Sequence, residues 1–483
     1  MNILQVNAFD DFGGAARIAW NLFESYRGRG HRSWLAVGHK GSNDPNVFPI
    51  PNDASRDAWA RLFIRMGDFL GPLRERIKGA GLLRRLLMGP VGQTRRWHSI
   101  RAGSEDFDFP GTGKLLDLLP ARPDLLHGHN LHGRYFDLRR LPWFSAQFPV
   151  FLTLHDAWLL GGHCAHSFDC ERWEMGCGHC PDLTIPPAVS RDATAENWQR
   201  KRRIYAFSRV YVATPSRWLM RKVEQSILAP AVVDAKVIPN GIDLSVFCPG
   251  DRHIARQALG IPEGVRLLLS TAKGKRRNIW QDYEAMEDAI AKVSDRLPQT
   301  AIWTIVLGRD ERQTRVGLAQ FHYLPREKRP DALALYYQAA DIYMHPSRTD
   351  TFPSAVLEAL GCGIPVLATA VGGIPEQVKG CSAVSQRDED DEFNTFSVDE
   401  ATGVLVPSGE GSHMAGALEW LLEDNTSRHR MGENAARDAR RRFDLNRQVD
   451  TYLQWYEEIV EAHSPKSSVL TQTTLLETPG STP

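Results

Sequence analysis

The chain has 483 residues and a mass of 54.3 kDa, which is long enough for two domains with separate hydrophobic cores. Hydrophobic residues make up 42% and charged residues 24% of it, which is typical of a globular protein and excludes a disordered or collagen-like chain. Basic and acidic residues number 58 each, so the overall charge favours no particular partner.

The start of the chain and its apolar runs bear on the cellular compartment. Met1 leads directly into an apolar run at residues 3–6, which leaves no room for a secretory signal. No apolar run approaches the roughly 18 residues that a membrane-spanning helix needs. We therefore expect a cytoplasmic protein, or one held peripherally on the inner face of the plasma membrane. In that compartment its seven cysteines are expected as thiols rather than disulfides.

The first predicted elements are a strand at 2–7, a glycine loop and a helix over 15–25. Strand, glycine loop and helix in this order begin a doubly wound α/β domain, with a backbone-lined pocket where the loop meets the helix. Gly13 and Gly14 in the loop are thus candidates for ligand binding through their backbone. A tight turn alone also explains the pair.

Residues 56–101 form a basic amphipathic segment, with eleven lysines and arginines against three acidic residues. Its apolar residues recur at three- and four-residue steps, which predicts helices. A basic amphipathic helix can lie on an anionic membrane. A helix packed on the first domain with a solvated arginine face is the alternative. Nucleic acid is a poorer partner, because the chain has no recognisable binding module.

Two predicted strands, at 125–128 and 150–154, each run into histidines. The first is followed by a turn that contains His129 and His132, and the second by His155 and Asp156. In an open α/β sheet, ligands bind outside the carboxyl ends of the strands, where these side chains would lie. His155 is therefore a candidate site residue, although a histidine can also merely end a strand.

A cysteine-rich insertion is predicted at 161–182. It carries four cysteines within seventeen residues, at Cys164, Cys170, Cys177 and Cys180. Four thiolates could form a closed tetrahedral site for structural zinc, and an iron–sulfur cluster would use the same ligands. Reduced thiols in a loop are the alternative.

In the second half of the chain, a strand at 266–270 runs into a basic loop. The cations of this loop that could clamp a diphosphate are Lys273, Lys275, Arg276 and Arg277. A solvated loop is the alternative.

Residues 345–378 read HPSRTDTFPSAVLEALGCGIPVLATAVGGIPEQV. The pattern predicts a turn, a helix that Thr351 caps and that has Pro353 in its first turn, and then a buried strand. Asp350 stands before the helix and Glu358 within it. The helix start at Thr351 and Phe352 offers N–H groups to a phosphate, and carboxylates can bind sugar hydroxyls. The alternative is an ordinary helix with Glu358 in solvent.

This stretch resembles the E-x7-E signature of family 4 retaining glycosyltransferases. It matches the family pattern at Phe352, Glu358, Ala359, Gly361, Gly363, Pro365, Val366, Ala368, Gly372, Gly373, Glu376 and Val378. It departs at Asp350, where the family usually has glutamate, and at Pro353, where it usually has glycine. Residues 238–243, IPNGID, resemble the segment that joins the two domains in that family, and a subset of the family carries a similar cysteine-bearing insertion.

The resemblance implies a GT-B fold, that is, two Rossmann-like doubly wound α/β domains facing a central cleft. It implies an N-terminal acceptor domain at 1–235 and a nucleotide-sugar donor domain at 236–444. A helix at 445–462 would cross back to the first domain, before a disordered tail at 463–483 that is rich in serine, threonine and proline.

The resemblance also implies transfer of a sugar from a nucleotide-diphosphate donor to an acceptor hydroxyl, with retention and without a catalytic metal. Glu358 would hold the ribose and Asp350 the sugar, while His155 would face the sugar and phosphate. Gly13 and Gly14 would lie near the donor phosphates. The family's usual clamp lysine aligns with Gln281, so the loop at 273–277 would have to replace it.

The acceptor expected from these features is a saccharide or lipid-linked saccharide in the assembly of a bacterial surface polysaccharide or glycolipid. Competing interpretations are a phosphorylase or synthase on the same fold, a nucleotide-sugar epimerase, and a GT-B scaffold that has lost catalysis. The altered residues Asp350 and Gln281 favour the last of these among the alternatives.

Overall fold

The computed structural model describes residues 1–11, 13–73, 77–272, 279–309, 313–382, 393–409 and 411–463. The chain divides into two compact units. The first unit comprises Met1–Thr214, Met220–Val237 and the chain from Val449 onward. The second unit comprises Pro215–Leu219 and Ile238–Gln448.

The described residues of the first unit contain one seven-stranded sheet in the order β3-β2-β1-β4-β5-β6-β7. Every neighbouring pair in it is parallel. The strands are β1 (Asn2–Phe9), β2 (Arg32–His39), β3 (Val47–Pro49), β4 (Leu125–Gly128), β5 (Val150–Thr153), β6 (Val210–Thr214) and β7 (Val232–Val237). Because the strand order reverses between β1 and β4, this is the switch point where doubly wound sheets bind ligands.

The helices before the second sheet are α1 (Gly14–Gly28), α2 (Ala58–Leu70), α3 (Ala80–Leu86), α4 (Thr94–Arg101), α5 (Leu141–Ser145), α6 (Arg172–Met175), α7 (Thr194–Tyr205) and α8 (Arg217–Glu224). Short 3-10 turns lie at Pro110–Leu118, Leu138–Arg140, Trp158–Leu160 and Ala229–Ala231, and one π-helical turn at Leu87–Val91. The helix α1 begins directly after the glycine loop, as the sequence predicts.

The described residues of the second unit form a sheet in the order β10-β11-β9-β8-β12-β13-β14. The strands are β8 (Arg266–Thr271), β9 (Ile302–Leu307), β10 (Thr314–Val316), β11 (Ala319–Leu324), β12 (Ile342–His345), β13 (Val366–Thr369) and β14 (Gly403–Val406). Only the pair β10–β11 is antiparallel among these strands. The strand order reverses between β8 and β12, so the expected binding edge lies there.

The remaining helices are α9 (Arg252–Leu259), α10 (Tyr283–Arg296), α11 (Pro330–Ala339), α12 (Ser354–Gly361), α13 (Ile374–Gln377), α14 (Gly411–Glu423), α15 (Asn425–Arg442) and α16 (Leu445–His463). Alternate side chains of β8 pack into two different apolar clusters, with Leu267 and Leu269 in one and Leu268 in the other. The strand is therefore buried on both faces, which explains its continuous apolar run.

Within the ranges that the structure describes, no helix is both long enough and apolar enough to cross a lipid bilayer.

A buried carboxylate anchors the second sheet just before β12. Asp341 accepts hydrogen bonds from Leu267 N (2.8 Å) and Arg256 Nη2 (2.8 Å), and the Arg256 side chain is itself buried. It also accepts one from Arg252 Nη1 (2.8 Å). These bonds join the starts of β8 and β12 to α9.

We predict that Asp341→Ala lowers the free energy of unfolding by about 3–5 kcal/mol, because it leaves the Arg256 guanidinium buried without its carboxylate. Denaturant unfolding of the purified variant measures this. Asp295→Ala, at an exposed position of α10, is the control and should change stability by less than about 0.5 kcal/mol. An equal, small effect of both changes would contradict the role of Asp341 as an anchor of the second sheet.

Candidate functional site

The loop after β12 places Asp350 at the carboxyl edge of the second sheet, next to the switch point. Its Oδ1 accepts a hydrogen bond from Thr351 N (2.9 Å), and its Oδ2 lies 3.7 Å from His345 Nε2. His345 contacts Tyr343 OH through Nδ1 (3.2 Å), and Tyr343 OH contacts Thr271 Oγ1 (2.7 Å) at the end of β8. A chain of polar groups thus runs along this edge from β8 to the Asp350 carboxylate.

Two glycines after β13 fix this loop. A Cβ on Gly372 would lie 1.9 Å from the Asp350 carbonyl oxygen, and one on Gly373 would lie 2.0 Å from that of Thr351. Gly372 also has φ of +58°, in the left-handed region that favours glycine. Gly373 N donates to Asp350 O (3.3 Å). The glycine pair of the signature is therefore required for the close approach that positions Asp350.

Glu358 lies in α12 and is buried, with 3% of its surface exposed. Its Oε2 accepts a hydrogen bond from Tyr337 OH (2.9 Å) of the preceding helix α11. Burial and the nearby Glu358 carboxylate hold the pKa of Tyr337 well above its usual value, so the phenol keeps its proton and can donate. The alternative of a solvent-exposed Glu358 is therefore wrong.

The start of α12 differs from the sequence prediction. The helix begins at Ser354, and Pro353 holds the N-cap position without a side-chain hydrogen bond, so the prediction of Thr351 as N-cap is wrong. Thr351 and Phe352 belong instead to the close-packed loop against the glycine pair. The Phe352 ring is buried and packs edge-on against Phe443 (6.0 Å between centroids), so any ligand contact of this residue would fall to its backbone.

The predicted diphosphate clamp at Lys273, Lys275, Arg276 and Arg277 lies outside the described residues. The described residues before this predicted clamp end at Ala272, just after the carboxyl end of β8 at the switch point. Gln281, which the sequence resemblance aligns with the family's clamp lysine, is buried and donates from Nε2 to Thr271 O (3.0 Å), while its Oε1 accepts from Tyr283 OH (2.9 Å). Its amide thus supports the backbone at the end of β8.

In the first unit, the histidines after β4 and β5 form one hydrogen-bonded group. His129 Nδ1 lies 3.1 Å from His155 Nε2, and His129 Nε2 lies 2.9 Å from the Gln5 amide of β1. Burial lowers the pKa of His155 to about 4 and holds that of His129 well below its usual value. The half-buried His155 is therefore a neutral hydrogen-bonding group at neutral pH rather than a cation.

A second histidine pairs with a carboxylate at the same edge of the first sheet. His132 Nε2 lies 2.6 Å from Asp156 Oδ2, and both side chains are partly exposed. Burial opposes the charge on His132, but Asp156 outweighs it and raises the pKa of His132. Asp156 Oδ1 also accepts from Trp158 N (2.9 Å). The sequence places both residues near the strand ends, but it does not show that they pair.

Gly13 stands at the N-cap of α1 with φ of +99°, and Gly14 is the first residue of the helix. Among the described residues, and apart from chain neighbours and the backbone of α1, no atom lies within 4 Å of a Cβ built on either glycine, so there is open space beside both. The backbone of this loop follows β1 at the switch point of the first sheet.

The four cysteines of the predicted insertion are free thiols. Cys177 Sγ accepts from Gly162 N (3.3 Å), and Cys180 Sγ lies 3.4 Å from His163 Nε2. Burial raises the pKa of Cys164 to about 12 and that of Cys177 to about 11, so both are protonated thiols at neutral pH. In the described part of the chain, no three His, Cys, Asp or Glu side chains could hold a metal ion, so the residues do not support the predicted zinc site.

The structure brings Asp350, Thr351 and Phe352 together in one loop and places Glu358 in the helix that follows. It brings His155 together with His129 in the first unit. Sequence reasoning missed Tyr337 and the pair of His132 with Asp156. The only available signal for that pair was its place after two predicted neighbouring strands.

Comparison with known proteins gives a family for the second unit. Residues 252–438 match the profile of the family described as Glycosyl transferases group 1. The matched range contains Asp350, Glu358 and the glycine pair. Over this range, the second unit is therefore similar to glycosyltransferases of group 1.

A similar curated protein is the D-inositol 3-phosphate glycosyltransferase of Mycobacterium avium (strain 104), which is 32% identical over 208 residues. The match covers 40% of this chain and 41% of that protein, so the chain spans about two fifths of the curated relatives it matches.

Solved structures resemble nearly the whole chain. Sucrose-phosphate synthase from Thermosynechococcus elongatus superposes with a TM-score of 0.57 at 17% identity, covering 95% of this chain and 99% of that one. Anabaena Alr3699/HepE in complex with UDP gives a TM-score of 0.55 at 17% identity, and the superposition covers 95% of this chain and 100% of that one. With its two Rossmann-like units, the chain has the GT-B fold.

We predict that the first unit is sensitive to acid because of its buried histidines, which include His127 of β4, whose ring centroid lies 4.1 Å from that of His129. The folded-state pKa of His127 is lowered to about 3 and that of His155 to about 4, by burial, whereas an unfolded histidine has about 6.5. Below about pH 6.5 the unfolded chain therefore binds more protons, and stability falls as the pH falls toward 4. At pH 5, each of these two histidines should lower the free energy of unfolding by about 2 kcal/mol. The raised pKa of His132 acts in the opposite sense and offsets part of this.

Urea unfolding between pH 7 and pH 5 measures this loss. His127→Gln should reduce the slope of stability against pH, because it removes one buried group that must stay neutral. His429→Gln, an exposed histidine in α15, is the matched control and should leave the slope unchanged. Stability that does not depend on pH over this range would contradict the neutral histidine group.

Proposed function

We propose that the protein transfers a sugar from a nucleoside-diphosphate sugar to an acceptor hydroxyl. The observation that supports the proposal most is that Asp350, in the loop after β12, and Glu358, in the helix that follows, lie within the range that matches glycosyltransferases of group 1. The similarity to a curated glycosyltransferase and the GT-B fold support it.

In the proposed reaction, the bond between the anomeric carbon and the diphosphate breaks, and a bond from that carbon to the acceptor oxygen forms on the same face. Because the new bond forms on the face that the diphosphate leaves, the anomeric configuration is retained. The leaving diphosphate oxygen takes the acceptor proton, which balances the charge. The main task of the site is to stabilise the negative charge that builds on the diphosphate. Loop amides at Gly13, Gly14, Thr351 and Phe352, together with Lys273, Lys275, Arg276 and Arg277, are proposed to do this.

The two carboxylates are proposed to bind hydroxyl groups, Glu358 those of the ribose and Asp350 those of the sugar. Asp350 is one methylene shorter than the usual glutamate, but the glycine pair holds its backbone in place. His155 is proposed to contact the sugar and phosphate as a neutral hydrogen-bonding group, which its lowered pKa supports. Tyr337 is proposed to orient Glu358 through their hydrogen bond.

We further propose that the acceptor is a saccharide or lipid-linked saccharide of a bacterial surface polymer or glycolipid, and that the protein works in the cytoplasm or at the inner face of the plasma membrane. The basic, apolar segment at 56–101 supports an acceptor that lies at a lipid surface.

Nucleotide binding separates an active enzyme from a GT-B scaffold that has lost catalysis. We expect the protein to be stabilised by one nucleotide and its sugar conjugate from a panel of UDP, GDP, ADP, CMP and their common sugar conjugates. A ligand at roughly 100 times its dissociation constant adds about 2.7 kcal/mol, which a thermal unfolding assay detects readily. A panel without any shift would favour the scaffold. Turnover that requires inorganic phosphate would favour a phosphorylase.

Replacing Glu358 tests the site itself. Glu358→Ala should abolish sugar transfer while the protein stays folded, because it removes the carboxylate proposed to hold the ribose. Tyr337→Phe should raise the KM for the donor several-fold, because it removes the hydroxyl that orients Glu358. Glu423→Ala, an exposed glutamate at the end of α14, is the control and should keep full activity. Full activity of the Glu358 variant would refute the assignment.

A further inference from the structure

Exposed apolar side chains are concentrated in one segment of the first unit. Among the described residues, ten of the nineteen large apolar side chains that are exposed lie between Trp59 and Ile100. These ten are Trp59, Leu62, Met66, Phe69, Ile77, Leu82, Leu83, Leu86, Val91 and Ile100. Single exposed apolar residues are normal on a protein surface, but such a concentration marks an interaction surface.

The helix α2 carries two apolar stripes. Ala60, Ile64 and Gly67 form a buried stripe that holds the helix to its neighbours. A second stripe is formed by Trp59, Leu62, Met66 and Phe69, at steps of three and four residues, and it is exposed. At about 3.6 residues per turn, the two stripes lie on roughly opposite sides of the helix. Apart from Trp59, the exposed stripe is therefore not needed for the packing of α2.

The neighbouring helices are fixed to α2 by specific contacts. Arg84 in α3 donates from Nε to Gly67 O (3.1 Å) and lies 3.6 Å from the Asp68 carboxylate. Trp59 Nε1 donates to Val91 O (3.1 Å), at the end of the π-helical turn. The exposed residues of α2, α3 and this turn thus lie on one packed group of helices. We call the exposed described residues of the segment 59–100 the apolar–basic surface.

The same surface carries uncompensated positive charge. Arg61, Arg65, Lys78, Arg85 and Arg95 are exposed. Within the described ranges, none of the five has a carboxylate at ion-pair distance, whereas Arg56, Arg84 and Arg96 do. In α2, Arg61 and Arg65 flank the exposed apolar stripe. Apolar residues bordered by free cations match the boundary of an anionic bilayer, where acyl chains meet charged headgroups.

We propose that the apolar–basic surface docks this protein on an anionic phospholipid bilayer. Phe69, Leu62 and Leu82 would enter the acyl boundary, Trp59 would lie at headgroup level, and the arginines would bind lipid phosphates. A second copy of the chain is a poorer occupant, because a symmetric contact would bring two sets of uncompensated cations together. The inference goes beyond sugar transfer and does not depend on it.

Vesicle co-sedimentation of the full chain tests the proposal. The protein should bind vesicles of phosphatidylcholine mixed with phosphatidylglycerol, and bind pure phosphatidylcholine vesicles far more weakly. The triple variant Leu62→Gln, Phe69→Gln, Leu82→Gln should bind the anionic vesicles on the order of tenfold more weakly, since it removes apolar area from the contact. The triple variant Arg61→Gln, Arg65→Gln, Arg85→Gln should bind the anionic vesicles on the order of tenfold more weakly, or more weakly still. Added salt should release the wild-type protein from these vesicles.

Matched controls use the same substitutions on other surfaces. Phe207→Gln with Ile254→Gln replaces two apolar side chains that are as exposed as those of the test set, and Arg203→Gln with Arg209→Gln removes two exposed arginines. Both controls should bind vesicles like the wild type. If a triple variant does not fold, the single change Phe69→Gln, at a side chain that is 77% exposed, takes its place.

Two results would overturn the proposal. One is vesicle binding that neither triple variant weakens. The other is a dimer, seen by analytical ultracentrifugation without lipid, that the same variants dissociate, since a second copy would then be the occupant. Nucleotide-induced thermal stabilisation of the same preparations keeps this test separate from the proposed sugar transfer, because a variant can lose the membrane and still bind its donor.

Discussion

The candidate site of the second unit depends on one close approach between two loops. The chain after β13 passes so near the chain after β12 that a Cβ on Gly372 would stand 1.9 Å from the Asp350 carbonyl oxygen. The strands that carry these loops are paired in parallel register, Tyr343 opposite Val366, so their ends lie at the same edge. Strand pairing brings the loops together, and the two glycines allow them to touch. Any side chain at either glycine would displace the Asp350 backbone, and with it the carboxylate.

The two units manage buried polar groups in different ways. In the first unit, burial keeps His127, His129 and His155 neutral, so these three histidines form hydrogen bonds without carrying positive charge. In the second unit, the buried Glu358 is held by the hydroxyl of Tyr337. Neither the neutral histidines nor the pair of Glu358 with Tyr337 supplies the positive charge that would neutralise a diphosphate. Under the proposed function, that task falls to loop amides and to the basic residues that follow β8 in the sequence.

The sequence was sufficient for features that depend on local pattern. Continuous apolar runs predicted the buried parallel strands, and a glycine loop followed by helical spacing predicted α1. Features that depend on distant residues could not be predicted in this way. Tyr337 lies 21 residues before Glu358 on another helix, and no spacing rule joins them. The N-cap was misplaced because Thr351 has good capping chemistry, while packing against the glycine pair keeps it outside the helix.

The helix α2 shows why periodicity alone leaves the role of a segment open. Its sequence has apolar residues on two sides, and the spacing predicts a helix without telling which side is buried. The smaller residues Ala60 and Gly67 face the protein, because they let α2 approach its neighbours closely, and the Met88 side chain lies where a Cβ on Gly67 would stand. The larger Trp59, Leu62 and Phe69 are left outside. Apart from Trp59, which also donates to Val91 O, the residues that hold the helix differ from those that it presents, so Leu62 and Phe69 can be changed without disturbing the fold that carries them.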